Sequence, residues 1–150
     1  MNVQDYLRQG RLLDQRINYD LQRLEEMKTD ISGIYSTGIT ASKVQNSKDG
    51  DAPYVKALLR IEELQEQINQ EIDMLVNLKT QIDQTIRQLE NAEEQMILKY
   101  RYLKGMTWDE IGGMLKIGKS TAKRWHEQAL AKLKMPEKPI ITYLSKDFLK

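Results

Sequence analysis

Residues 107–134 read TWDEIGGMLKIGKSTAKRWHEQALAKLK, and this stretch decides the fold. Thr107, followed three residues later by Glu110, is a capping box. The hydroxyl accepts from the Glu110 amide, the carboxylate reaches back, and Asp109 and Glu110 put negative charge at the positive end of a helix. Trp108, Ile111, Met114 and Leu115 then recur at helical spacing for barely two turns, and Gly112 is expected to let another helix approach closely. Lys116-Ile117-Gly118 is the turn. Beyond it Ala122, Trp125, Ala129, Leu130 and Leu133 repeat at helical spacing as far as Pro136, which predicts a helix over Lys119–Lys134. Short helix, tight turn and longer helix form the geometry that braces one helix against a DNA backbone and sets the other in the major groove.

On this last helix the apolar side faces its neighbours, which leaves Lys119, Ser120, Thr121, Lys123 and Arg124 outward near its start. These residue types bond phosphates and base edges, arginine being the commonest reader of guanine. With Thr107 and Lys116 from the preceding cap and turn they are the candidate DNA-binding residues. Trp108 and Trp125 share helical spacing with Ile111 and Ala122 and are expected in the core rather than as stacking platforms. His126 is expected on the surface, either idle or against a phosphate.

Working upstream, Met96, Ile97, Tyr100 and Leu103 mark a support helix that starts at an Asn91 cap and closes at Lys104-Gly105. Before it, Ile61, Ile68, Leu75, Ile82, Leu89, Met96 and Leu103 fall at intervals of seven. The companion seam four residues after each reads Gln65, Ile72, Lys79, Ile86, Glu93 and Tyr100, a heptad-like pattern with polar interruptions that predicts coiled-coil packing. A helix from Tyr54 to Glu90 would run about 55 Å and needs a partner along its length. That partner is an earlier helix folded back on it, the same helix of a second subunit, or both. The earlier helix is marked by Leu13, Ile17, Leu21, Leu24, Met27, Ile31 and Ile34, and the polar stretch 36–53 between the two reads as a loop. The tail 136–150, with its apolar run from Ile140 to Leu144, is open to three readings: strand, docking segment or disorder.

The expected fold class is therefore all-α. A long helical hairpin or coiled coil over 1–90 precedes a three-helix helix-turn-helix domain over 91–135 and a tail over 136–150. Charge follows the same division: net −6 over residues 1–95, +6 over 96–134 and +1 over the last 16. An overall balance of +1 hides a cationic stretch of the kind that attracts nucleic acid. The absence of cysteine removes disulfides and thiolate metal sites, and a single histidine builds no metal site. No nucleophile, metal or phosphate-loop pattern occurs, so neither enzyme nor cofactor is expected. The start lacks a basic segment followed by an apolar run, and no stretch approaches the roughly 20 apolar residues of a spanning helix, so a cytoplasmic protein is expected.

Three segments carry a resemblance: Met96-Ile-Leu-Lys-Tyr-Arg-Tyr-Leu103, Thr107-Trp-Asp-Glu-Ile-Gly112 and Ser120-Thr-Ala-Lys-Arg-Trp-His-Glu-Gln-Ala-Leu130. They resemble region 4 of the bacterial sigma-70 factors, the domain that reads the promoter −35 element. They are closer still to ArpU-like and RinA-like phage transcriptional regulators, in which such a domain follows a helical N-terminal part. The segments from Tyr6 to Ile17 and from Glu71 to Leu75 are similar to a prophage-encoded family of Gram-positive bacteria. The departure is Lys116, at a turn position where the family usually holds glycine. The resemblance implies a regulator of phage or prophage genes that binds double-stranded DNA, with host RNA polymerase and a second copy of the chain, as a dimer, among its partners. Two alternatives stand beside it: a coiled-coil interaction protein that binds polymerase or another protein without reading DNA, and a DNA-packaging recognition subunit.

Overall fold

The computed structural model describes residues 1–36 and 52–142. Among these every regular element is helical: α1 (Val3–Ser36), α2 (Ala52–Ile86), α3 (Ala92–Leu98) continued by one π-helical turn (Lys99–Leu103), α4 (Trp108–Leu115) and α5 (Lys119–Lys132). Of the loop expected over 36–53, residues 37–51 lie outside the described residues, while Ser36, Ala52 and Pro53 are helical. Pro53 sits in the first turn of α2, where its missing N–H has no helical partner to lose. No described helix is long and apolar enough to cross a membrane.

The chain divides into two compact units, Gln15–Asp73 and Met1–Asp14 with Met74–Lys150. In the first, α1 and α2 run antiparallel. Leu24 packs with Ile61, Leu64 and Ile68, flanked by Met27 and Ile31. One polar group interrupts this stripe: the Arg16 guanidinium lies 3.5 Å from Asp20 and 3.6 Å from Glu71, and Gln67 donates to Glu71 at 3.1 Å. Asp20 and Glu71 are both buried, so the guanidinium between them is what makes two carboxylates tolerable in an apolar seam.

The register differs from the expected one. Buried positions on α2 are Ile61, Leu64, Ile68, Glu71, Leu75, Leu78, Ile82 and Thr85, alternating steps of three and four, with Ile86 beside the last. The sevenfold series is right, but its companion lies three residues on, not four, and Ile72 of the expected seam is exposed. A step of four overshoots the stripe by one flank. Ile86 alone of that seam is buried, as it enters the core of the other unit. On α1 the stripe passes through Asp20, and Leu21 is exposed. The sevenfold series does not continue through α3: Met96 and Leu103 are half-buried, and Ile97, Leu98 and Tyr102 are buried instead.

In the second unit, Tyr6 and Leu7 of α1 meet Leu78, Ile82 and Ile86 of α2, together with Leu89, Leu98, Tyr102, Ala129 and Leu133. Asn91 caps α3 by accepting from the amides of Glu93 and Glu94 at 2.8 and 3.0 Å. Glu94 turns inward and receives Lys132 of α5 at 2.8 Å. The tail is held by two glutamines. Gln9 donates to the Ile140 carbonyl at 2.9 Å and accepts from the Thr142 amide at 2.8 Å; Gln81 donates to the Lys138 carbonyl and accepts from the Ile140 amide, both at 2.9 Å. Each side-chain amide thus pairs with two backbone groups two residues apart, as a neighbouring strand would. Of the three readings of the tail, residues 138–142 take the docked one, without a strand; 143–150 lie outside the described residues.

Candidate nucleic-acid interface

Thr107 caps α4 as expected, accepting from the Glu110 amide at 3.2 Å. Its hydroxyl proton goes to the Glu110 carboxylate at 3.2 Å, so Glu110 answers the side chain rather than the Thr107 amide. At the other end Lys116 adopts φ 56, ψ 46, and is the only non-glycine residue with positive φ among the described residues. A left-handed lysine costs about 1 to 2 kcal/mol, and it is held there because the Lys116 and Ile117 amides both reach the Gly112 carbonyl. The chain doubles back so tightly that a Cβ on Gly112 would stand 2.8 Å from the Ile117 carbonyl oxygen. Gly112 therefore makes room for its own turn, not for another helix.

Gly118, extended at φ −71, ψ 156, opens α5 with no side-chain cap. The helix ends at Lys132, two residues short of the expected end, as Leu133 turns extended ahead of Pro136. Ala122, His126 and Ala129 form its buried face. Ile97, Ile111 and Ala122 centre the three-helix core, and Trp108 and Trp125 pack against it, as expected of core tryptophans.

Lys119, Ser120, Lys123 and Arg124 are exposed, and Thr121 is half-buried. Since 119 and 123, and 120 and 124, are four apart, the exposed residues form one face over the first two turns of α5. Lys116 joins Lys119 along a groove that passes Trp108, Asp109 and Gly113. Thr107 is exposed, with its hydroxyl committed to Glu110.

His126 is not where the sequence places it. It is buried, 2.7 Å from the Tyr102 hydroxyl through Nε2, with its ring edge-on to Trp108 at 4.8 Å. Burial lowers its pKa below the ordinary 6.5 against the opposing pull of Glu127, so it is neutral at pH 7. The signal that locates it is its spacing: Ala122, His126, Ala129 and Leu133 are one helical stripe. Three arginines outside the motif also escaped the sequence reading. Arg8 and Arg11 of α1 and Arg101 of the π-helical turn line a recess with Lys123. Arg101 lies 4.6 Å over the Trp108 ring and donates to the Met106 carbonyl at 2.9 Å.

No curated protein and no solved structure matches the chain. Residues 86–135 match the family model described as Sigma-70, region 4, a DNA-binding helix-turn-helix. The match spans α3, the π-helical turn, α4 and α5. Its bounds and the geometry of the turn agree: residues 86–135 are a sigma-70 region 4 helix-turn-helix domain.

Proposed function

We propose that the protein is a sequence-specific regulator of phage or prophage transcription that binds double-stranded DNA and reads the major groove with the first two turns of α5. The observation that carries this reading is the face of Lys119, Ser120, Lys123 and Arg124, exposed on a helix whose opposite side is locked into a sigma-70 region 4 core. Arg124 and Ser120 are assigned to base edges, Lys119 and Lys123 to phosphates flanking them, and Lys116 and Thr107 to the backbone on the α4 side; Thr121 is assigned to the edge of the contact. The protein acts in the bacterial cytoplasm, without catalysis or cofactor. The phage or prophage setting is supported by the resemblance of the segments around Tyr6–Ile17 and Glu71–Leu75.

A second copy of the chain and host RNA polymerase are the proposed protein partners. Val55, Leu58 and Leu59 are exposed one turn apart on α2, an apolar cluster that favours self-association as a dimer. Selection of bound fragments from a random DNA pool tests the reading, because an inverted repeat also reports two-fold symmetry. One recurring site is expected, and its enrichment is lost with Arg124→Ala. A pool that emerges no different from the input overturns DNA reading, and retention on polymerase alone then identifies the protein-binding alternative.

A further inference from the structure

Arg8 and Arg11 stand one turn apart on α1, and with Arg101, Lys123 and Trp108 they line a recess of about 240 Å3. Four cations face one carboxylate there, Glu127. Arg101 is already fixed by Trp108 and the Met106 carbonyl, whereas Arg8, Arg11 and Lys123 have no ion-pair partner among the described residues. Folding gathers this charge against itself: the pKa of Arg101 is lowered by burial and by the neighbouring Arg11 and Arg8. The recess is smaller than the roughly 300 to 1,000 Å3 of sites for drug-sized ligands, and arginine is the residue suited to bidentate binding of a tetrahedral oxyanion.

We propose that this recess binds a phosphate group, held by Arg8 and Arg11 of α1 together with Arg101 and Lys123, and that in the DNA complex the group is a backbone phosphate beside the base-reading face. Lys123 links the two places, since it lies on the reading face and lines the recess. The source of the phosphate rests on the DNA-binding reading above; inorganic phosphate or pyrophosphate presents the same chemistry. The arm that is acidic on average thereby supplies a cationic contact from its first turns.

The test uses the full chain in four forms: wild type, R8Q/R11Q, R8K/R11K, and R23Q/K28Q, which removes equal charge from exposed positions elsewhere on α1. Far-UV circular dichroism checks that all four fold alike. Affinity for a selected and a random duplex is then followed between about 50 and 200 mM salt. Loss of one phosphate contact flattens the plot of log K against log salt by about 0.9. R8Q/R11Q is expected to show that change and a drop of at least tenfold at low salt on both duplexes, because phosphate contacts carry no sequence information. R8K/R11K keeps most of the slope, and R23Q/K28Q matches wild type. If R8Q/R11Q binds DNA with the affinity and salt slope of wild type, or R23Q/K28Q falls equally, the recess is overturned while the DNA reading stands. If wild type ignores DNA, calorimetry with phosphate and pyrophosphate decides: binding lost in R8Q/R11Q keeps the recess and sinks only the DNA source, and no binding sinks both.

Discussion

Gly112 and Gly113 are adjacent residues of the same short helix, yet an alanine at each should move stability in opposite directions. In a helix interior, glycine to alanine gains about 1 kcal/mol from backbone entropy alone, and this is the expectation for Gly113→Ala, whose Cβ meets nothing within 4 Å. At Gly112 the new Cβ would sit 2.8 Å from the Ile117 carbonyl oxygen. The obstacle is backbone, and it cannot drift away, since the Ile117 amide is bonded at 3.0 Å to the carbonyl of Gly112 itself. Forcing extra volume into such a place costs about 1 to 3 kcal/mol, and here the turn holding Lys116 left-handed must open as well. Set against the helix gain, Gly112→Ala loses a net ~1 to 2 kcal/mol, equivalent to about 2 to 8 °C in midpoint for a chain of this size. Both tryptophans of the sequence pack in this core, so tryptophan fluorescence during urea unfolding reports on this domain. Gly112→Ala should unfold at lower urea than wild type and Gly113→Ala at higher. A Gly112→Ala protein as stable as wild type, or two variants that shift together, would refute the steric account of the turn.

Other expectations follow from the same contacts. His126 is held neutral by burial, so the unfolded chain takes up a proton that the folded chain refuses; its stability contribution is complete above about pH 6.5 and is lost as pH falls below that. His126→Gln should therefore lose less stability than wild type between about pH 7 and pH 5, and parallel urea midpoints would contradict it. Gln9→Leu removes the side-chain amide bonded to the Ile140 carbonyl and the Thr142 amide; about 1 to 3 kcal/mol should be lost, with weaker hydrogen-exchange protection of the Thr142 amide. Asn91→Ala removes the acceptor for two amides of α3 and should cost about 1 kcal/mol in the same assay.

What the sequence disclosed follows from how local each interaction is. The Thr107 cap, the Asn91 cap and the Lys116–Gly118 turn are settled within a few residues, and each stands where its residues predict. The sevenfold series on α2 was legible because every member is apolar. Its true companion was not, because two of its members, Glu71 and Thr85, are polar yet buried, and Glu71 earns its place through Arg16 and Gln67 on the page of the fold, not of the sequence. Nothing in Lys99–Leu103 announces a π-helical turn, yet that turn buries Tyr102 where ordinary spacing favours Leu103. His126 was misplaced because its chemistry outweighed its spacing. Arg8 and Arg11 were hidden by an average: they sit in a region of net −6, and only packing of α1 in the unit that carries the helix-turn-helix brings them to Lys123.

The most direct test of the central claim is the affinity of the full chain for its selected duplex and for a random one, measured by fluorescence anisotropy across about 50 to 200 mM salt. A linear fall of log K with log salt is expected, about 0.9 for each phosphate contacted. Arg124→Ala is also expected to narrow the preference for the selected duplex by about 1 to 3 kcal/mol, the worth of a bidentate base contact, with little change on random DNA. Absence of binding to either duplex at about 50 mM salt, where electrostatic attraction is strongest, would contradict that claim.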